Sequence, residues 1–194
     1  MIRTSEVSDF FDRLAPGWDA GMRRNDEIIS MILDNAGITV GNDVLDVACG
    51  TGVLIPDYLE RKVSSVTGID LSQKMIEIAR NRFRQENVSF VCGDASFAEF
   101  DRRFDSIVVY NALPHIADPE QLISHLAASL KPSGKLTIAH GKSREQINEH
   151  HRNLSTAIAH DLMPAEELAL LFEKYLSVTE KIDDAQMYLV VGQK

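Results

Sequence analysis

Hydrophobic and polar residues change their spacing at regular intervals along the chain. Short runs rich in apolar and β-branched residues at 44–47, 65–69, 88–92, 104–110 and 135–140 read as strands. In the fourth, Ile107, Val108 and Val109 are consecutive, which predicts a strand buried on both faces. Between the runs the spacing shifts to three and four residues. Met75, Ile76, Ile78, Ala79 and Phe83 share one face of a helix expected over 73–86, with Ser72 as its cap. Leu122, Ile123, Leu126 and Leu130 do the same in a helix opened by Asp118-Pro119 and closed by the turn Lys131-Pro132-Ser133-Gly134. Strands alternating with helices predict an α/β fold, a doubly wound and mostly parallel sheet with both faces covered. Two further runs, 176–182 and 187–191, are joined by a tight Asp183-Asp184 turn. A hairpin that short cannot be parallel, so seven strands are expected, the last one antiparallel.

The flanks of this core read as helical. Ser5 is expected to cap a helix carrying Phe10, Phe11 and Leu14, stopped by Pro16-Gly17 ahead of Trp18-Asp19. A second helix over 26–36 places Ile28, Ile29, Ile32 and Leu33 together, with Gly37 as its C-cap. Downstream, 141–163 reads as a helical stretch with Ile147, His151, Leu154 and Ile158 on one stripe, before a helix opened by Pro164 and running to about 175. The expected organisation is one domain over 1–194: an N-terminal helical cap (1–42), a core (43–140), a helical lid (141–163), and a final helix with the C-terminal hairpin (164–194).

Composition narrows the partners. A chain of 194 residues with 44% hydrophobic content suits one well-buried domain. A net charge of −9 argues against nucleic acid or an anionic membrane as the main partner and favours a small molecule; oligomeric state is unreadable. The two cysteines, Cys49 and Cys92, are too few for a disulfide framework and point to a reducing compartment. With no apolar run near the roughly 18 residues of a membrane span, a cytoplasmic protein is expected.

The candidate chemistry centres on 44–52, which reads VLDVACGTG. The small residues after the first strand let a ligand lie against the backbone, and Thr51 is expected to cap a helix running from the turn to about 62. A dinucleotide fingerprint would need glycine at 55, where Ile55 stands, and a P-loop would need a lysine after Gly52, where Val53 stands. Neither motif is present. Instead Asp46, Asp70 and Asp94 stand at the carboxyl ends of three consecutive strands, and Asp70 suits the two hydroxyls of a ribose.

On these residues the chain resembles the class I S-adenosylmethionine-dependent methyltransferases, over nearly its whole length. Their acid-x-Gly-x-Gly-x-Gly motif is matched by Asp46-Val47-Ala48-Cys49-Gly50-Thr51-Gly52, with Ala48 in the first glycine slot, a residue that disfavours positive φ. The resemblance implies a Rossmann-like methyltransferase fold and S-adenosylmethionine as cofactor. Asp46, Ala48, Gly50 and Gly52 would form the turn by its methionine part, Asp70 and Leu71 would hold the ribose, and Gly93, Asp94 and Ala95 would bracket the adenine. Asn111 would lie near the transferred methyl group, in the loop Asn111-Ala112-Leu113-Pro114-His115 after the fourth strand. Met75 would pack on adenine or merely in the core. Trp18, with Phe10 and Phe11, would fold over the cofactor, pack a terminal helix, or do both. Phe97 and Phe100 would flank the adenine or belong to the core.

Histidines mark the acceptor side. His115 follows the central strand, His140 ends the fifth and His151 lies in the expected lid, so the three are candidates for binding the acceptor or taking its proton. Structural or surface roles are the alternative; His125 reads as structural and His160 as exposed. Their spacing matches no compact metal motif, and no metal ligand is assigned. The expected function is methyl transfer to a small-molecule acceptor by in-line displacement. A cofactor-binding regulatory protein without turnover is the alternative, and a nicotinamide-dependent reductase is opposed by the missing third glycine.

Overall fold

The computed structural model of the protein describes residues 2–152 and 154–194. Met1, in the expected cap, and Asn153, in the expected lid, lie outside the described residues. In chain order the elements are α1 (Thr4–Leu14), α2 (Trp18–Gly21), α3 (Asp26–Asn35), β1 (Asp43–Val47), α4 (Ile55–Glu60), β2 (Ser65–Asp70), α5 (Gln73–Arg82), β3 (Val88–Cys92), β4 (Phe104–Tyr110), α6 (Pro119–Ala128), β5 (Leu130–His140), α7 (Arg144–His151), α8 (Ala165–Phe172), β6 (Ser177–Asp183) and β7 (Tyr188–Gln193).

The seven strands form one sheet in the order β3-β2-β1-β4-β5-β7-β6. Strands β1 to β5 are parallel to one another, whereas β7 runs antiparallel to both β5 and β6. Ile107, Val108 and Val109 are fully buried, as a strand covered on both faces requires. Ile107 and Val109 pack in one layer with Leu122 and Leu126 of α6 and Phe172 of α8. Val108 packs in the other with Leu33 of α3, Tyr58 of α4 and Ile76 of α5. Helix α3, expected in the cap, therefore belongs to a layer of the core. Successive strands run outward from β1 in one direction and from β4 in the other. The adjacent carboxyl ends of β1 and β4 thus form the switch point where open α/β sheets bind ligands. No helix among the described residues is long and apolar enough to cross a membrane.

Several boundaries differ from expectation, each for a local reason. The helix after the glycine turn starts at Ile55, not Thr51, because Gly50 and Gly52 take φ of 54° and 88° and hold the chain out of helical geometry; Thr51 donates its hydroxyl to Asp19 (2.6 Å) instead of capping. Ser5 lies inside α1, whose N-cap is Arg3 without a side-chain bond. Helix α5 ends at Arg82, with Phe83 extended. Helix α6 ends at Ala128, and the expected Lys131–Gly134 turn is absorbed as an irregularity in β5, where Ser133 has φ 63° and the register with β4 shifts. The last hairpin turns over four residues, 184–187, with Asp184 Oδ1 accepting from Gln186 and Met187 N–H.

The lid is the largest departure. Its helix α7 stops at His151, so Leu154 and Ile158 are not on a helical stripe with Ile147 and His151. Ser155 accepts locally from Ala157 N–H (3.2 Å), a bond that competes with helix. Asn148 then draws the chain back, its side chain accepting from Leu162 N–H (2.6 Å) and donating to Leu162 O (3.3 Å).

Candidate active site

A cavity of about 800 Å³ lies over the carboxyl ends of β1 to β5, roofed by α1 and α7. It is large enough for a cofactor and a second small molecule. Of the expected site residues, Asp46, Ala48, Gly50, Asp70, Leu71, Met75, Gly93, Asp94, Ala95, Asn111 and Trp18 line it, together with His115, His140 and His151. Gly52 does not. A Cβ at that position would stand 2.5 Å from Phe83 Cε2, so Gly52 is required by packing against Phe83.

The floor is the turn after β1. Ala48 adopts φ 54°, the left-handed conformation that its side chain disfavours, and Gly50 does the same without that penalty. Ala48→Gly is therefore expected to raise stability by about 0.5–1 kcal/mol, part of the left-handed strain being offset by glycine's extra entropy in the unfolded chain. Urea unfolding with an unchanged slope checks this. Gly50 N–H donates to Asp70 Oδ2 and Ser72 N–H to Asp70 Oδ1, both at 2.8 Å. Burial raises the Asp70 pKa, opposed by those two bonds. Asp46 is more extreme: it is 2% exposed and its Oδ2 has no hydrogen-bond partner. Burial, with the nearby Asp70 charge second, pushes its pKa up to about 8.

The adenine-side expectations separate. Ala95 is buried at the cavity wall, and Asp94 Oδ1 accepts from Ser96 N–H (2.9 Å), which shapes the turn after β3. Phe97 is 68% exposed and Phe100 stacks edge-on with Phe104 in the core, so neither lines the cavity. Met75 is both buried and part of the cavity wall.

The N-terminal segment is both packing and roof. Phe10, Phe11 and Trp18 line the cavity; Phe11 meets Trp18 edge-on at 5.7 Å and His115 at 5.0 Å. Helix α1 is latched to the β2–α5 corner. Asp12 accepts from Ser72 Oγ and from Lys74 N–H, and Ser8 donates to Leu71 O. Burial disfavours the Asp12 charge, but those bonds hold its pKa below the usual carboxylate range.

The three histidines converge. His115 Nδ1 lies 2.9 Å from Ile158 O; a carbonyl only accepts, so Nδ1 carries the proton and Nε2 keeps the lone pair. The His115 and His151 rings are 5.0 Å apart. His140 is 1% exposed with neither nitrogen partnered, and Nδ1 of His151 is buried and unpartnered too. Burial, with the other imidazoles adding, lowers the pKa of His140 to about 3 and of His151 to about 4; burial also lowers that of His115. All three are neutral near pH 7. His125 bonds Ala98 O at 2.7 Å, a structural role, and His160 is exposed. Among the described residues no group of three or more His, Cys, Asp or Glu is arranged to hold a metal ion.

Tyr110, Lys142, Gln146, Gln186 and Arg23 also line the cavity and were not singled out in the sequence. Tyr110 and Lys142 sit at or just beyond strand ends, a usable signal. Gln186 arrives from the β6–β7 loop, which no local pattern connects to the site.

A family model described as a methyltransferase domain matches residues 44–134. The chain is 33% identical over 143 residues to the ubiquinone biosynthesis O-methyltransferase of Coxiella burnetii, covering 70% of this chain and 61% of that protein. It is 33% identical over 142 residues to the malonyl-[acyl-carrier protein] O-methyltransferase of Acetivibrio thermocellus, covering 72% of this chain and 50% of that one. The chain thus spans between half and three fifths of these relatives. Among solved structures, a chain of the Haloferax volcanii complex between the Trm112 methyltransferase activator and a methyltransferase superposes with a TM-score of 0.79 at 23% identity, covering 94% of this chain and 96% of its own.

Proposed function

We propose that this chain, which has the fold of the class I S-adenosylmethionine-dependent methyltransferases, binds S-adenosylmethionine and transfers the methyl group to a small-molecule acceptor. The observation that carries this reading is the convergence of Asp46, Asp70 and Asp94, from the ends of three neighbouring strands, on one cavity beside the turn after β1. The Asp46 carboxyl is buried there, and a cofactor ammonium group beside it would favour its ionised form. The other residues fit as well: Asp70 for the ribose hydroxyls, the Asp94-Ala95 turn for the adenine, and the bare Gly50 backbone beside the methionine part.

S-adenosylmethionine, when bound, supplies a methyl group already made electrophilic by its sulfonium. The chain's residues therefore position and desolvate. Phe10, Phe11 and Trp18 exclude water from above, and Asn111 and the histidines present the acceptor in line. His115 Nε2, the free lone pair of a ring whose Nδ1–H is tied to Ile158 O, takes the acceptor's proton.

Isothermal titration with S-adenosylmethionine and S-adenosylhomocysteine tests the reading, with micromolar affinity expected, unaffected by prior chelation of metals. Asp70→Ala should weaken both by about 1.5–3 kcal/mol, the worth of hydrogen bonds to a charged group. Failure of the parent protein to bind either ligand sinks the proposal, and unchanged affinity in the variant sinks the ribose assignment. Binding without transfer to any acceptor would favour a regulatory, non-turnover protein.

A further inference from the structure

Beneath the cavity floor, the carboxyl of Asp46 has a polar neighbour that is no part of the cavity wall. Side chains alternate along β1, so Asp46 points to the same face of the sheet as Val44. On that face Val44 packs with Tyr58 of α4, together with Cys49 and Leu54. Tyr58 is fully buried, and its hydroxyl has no hydrogen-bond partner among the described residues. The same holds for Asp46 Oδ2. Although Asp46 lines the cavity, that oxygen is buried, so its partner has to come from the protein side. Phenylalanine at 58 would serve packing alone, and a buried hydroxyl without a partner is costly.

Most groups around Asp46 oppose its charge. Asp70 on β2 and Asp57 on α4 are acids, the second of them paired with Arg24. Cys49 in the turn, Tyr58, and Tyr110, two positions beyond the Val108 that pairs with Asp46, are kept neutral by burial. Of these groups the Tyr58 hydroxyl alone favours the Asp46 charge. It is near enough to act on the carboxyl but does not meet it at hydrogen-bonding geometry. Burial, with Asp70 next, dominates and pushes the Asp46 pKa up to about 8. The free protein therefore holds a neutral carboxyl with a loose donor behind it.

We propose that Tyr58 is a positioning residue for the cofactor: with an ammonium group in the cavity beside Asp46, the carboxyl gives up its proton and the Tyr58 hydroxyl donates to Oδ2, fixing the carboxylate from behind. This rests on the reading of the chain as a protein that binds S-adenosylmethionine. The carboxyl O–H bond breaks with its electron pair left on oxygen, and the proton leaves to the buffer. The ammonium keeps its protons, and Tyr58 stays neutral. Binding is then proton-linked: one proton is released per cofactor bound, and affinity rises about tenfold per pH unit below pH 8.

The test is isothermal titration of the full chain with S-adenosylhomocysteine in two buffers of different ionisation enthalpy, which counts the protons released. At about pH 6.5 the parent protein should release close to one proton per ligand, because its free carboxyl is still protonated there. Tyr58→Phe removes only an unpartnered hydroxyl, so it should unfold in urea like the parent. It should nevertheless bind S-adenosylhomocysteine about tenfold more weakly at that pH, the loss of one hydrogen bond to a charged group. The ratio of the two affinities, from which the ligand's own titration cancels, should narrow as pH rises through 8, where the free carboxyl ionises unaided. Binding by the parent without proton release overturns the proposal. So does a Tyr58→Phe effect that is absent or equal at every pH, and so does a loss of folding stability in that variant, which would show the hydroxyl serving the fold. Absence of S-adenosylhomocysteine binding by the parent instead brings down the reading beneath it.

Discussion

Asp46→Asn is expected to abolish a fall of about 2 kcal/mol in folding stability between pH 6.5 and 8 in the protein without cofactor, while removing most of its affinity for S-adenosylmethionine. Asp46 is held protonated up to about pH 8 by burial, with the Asp70 charge adding, against an ordinary value of 3.8. The folded state therefore binds a proton that the unfolded chain releases. The stability this contributes is fully present below pH 4 and is lost as pH rises to 8. His140 and His151, lowered to about 3 and 4, act in the opposite sense: the unfolded chain binds their protons more readily, so stability rises with pH up to 6.5. Above 6.5 those terms are exhausted and the Asp46 term is exposed. At about 1.4 kcal/mol per pH unit for one proton, the decline from pH 6.5 to 8 amounts to about 2 kcal/mol. Urea unfolding at several pH values reads it directly. A flat profile in the parent protein over that window would mean that Asp46 folds as a carboxylate, leaving the variant no fall to abolish.

Gly52→Ala should cost about 3 kcal/mol of folding stability. The added Cβ would stand 2.5 and 2.9 Å from two ring atoms of Phe83 and 3.1 Å from Ile55 Cγ1, at a residue with φ of 88°. Overpacking of this kind costs about 1–3 kcal/mol, and a left-handed L-residue about 1–2 more. The two causes separate in a double-mutant cycle. Combined with Phe83→Ala, the substitution should cost only its dihedral part, because the clash is gone. Full additivity would show that Phe83 is not what holds Gly52, leaving its φ of 88° as the whole cost.

The order of elements was legible because its causes are local. Ile107-Val108-Val109 announces a doubly covered strand, Ser72 and Asp118 announce their helices, and each cap is seen accepting from a first-turn N–H. The lid helix was overextended because Ile147, His151, Leu154 and Ile158 keep a helical period, while Asn148 and Ser155 offer the backbone rival bonds. Gly52 looked like its neighbours in the turn; only Phe83, 31 positions on in sequence yet packed against it, distinguishes the two roles.

By itself the sequence determined the alternation of strands and helices, the small-residue turn after β1, the three strand-end acids and the loops that carry His115 and His140. All of these are properties of neighbouring residues. Only the tertiary structure decided the strand order that sets β1 beside β4, the meeting of α1 and α7 over the cavity, and the unpartnered, neutral states of Asp46 and His140. Desolvation is a property of everything packed around a group, and what surrounds His140, including Tyr188 opposite it and His115 and His151 nearby, comes from distant parts of the chain.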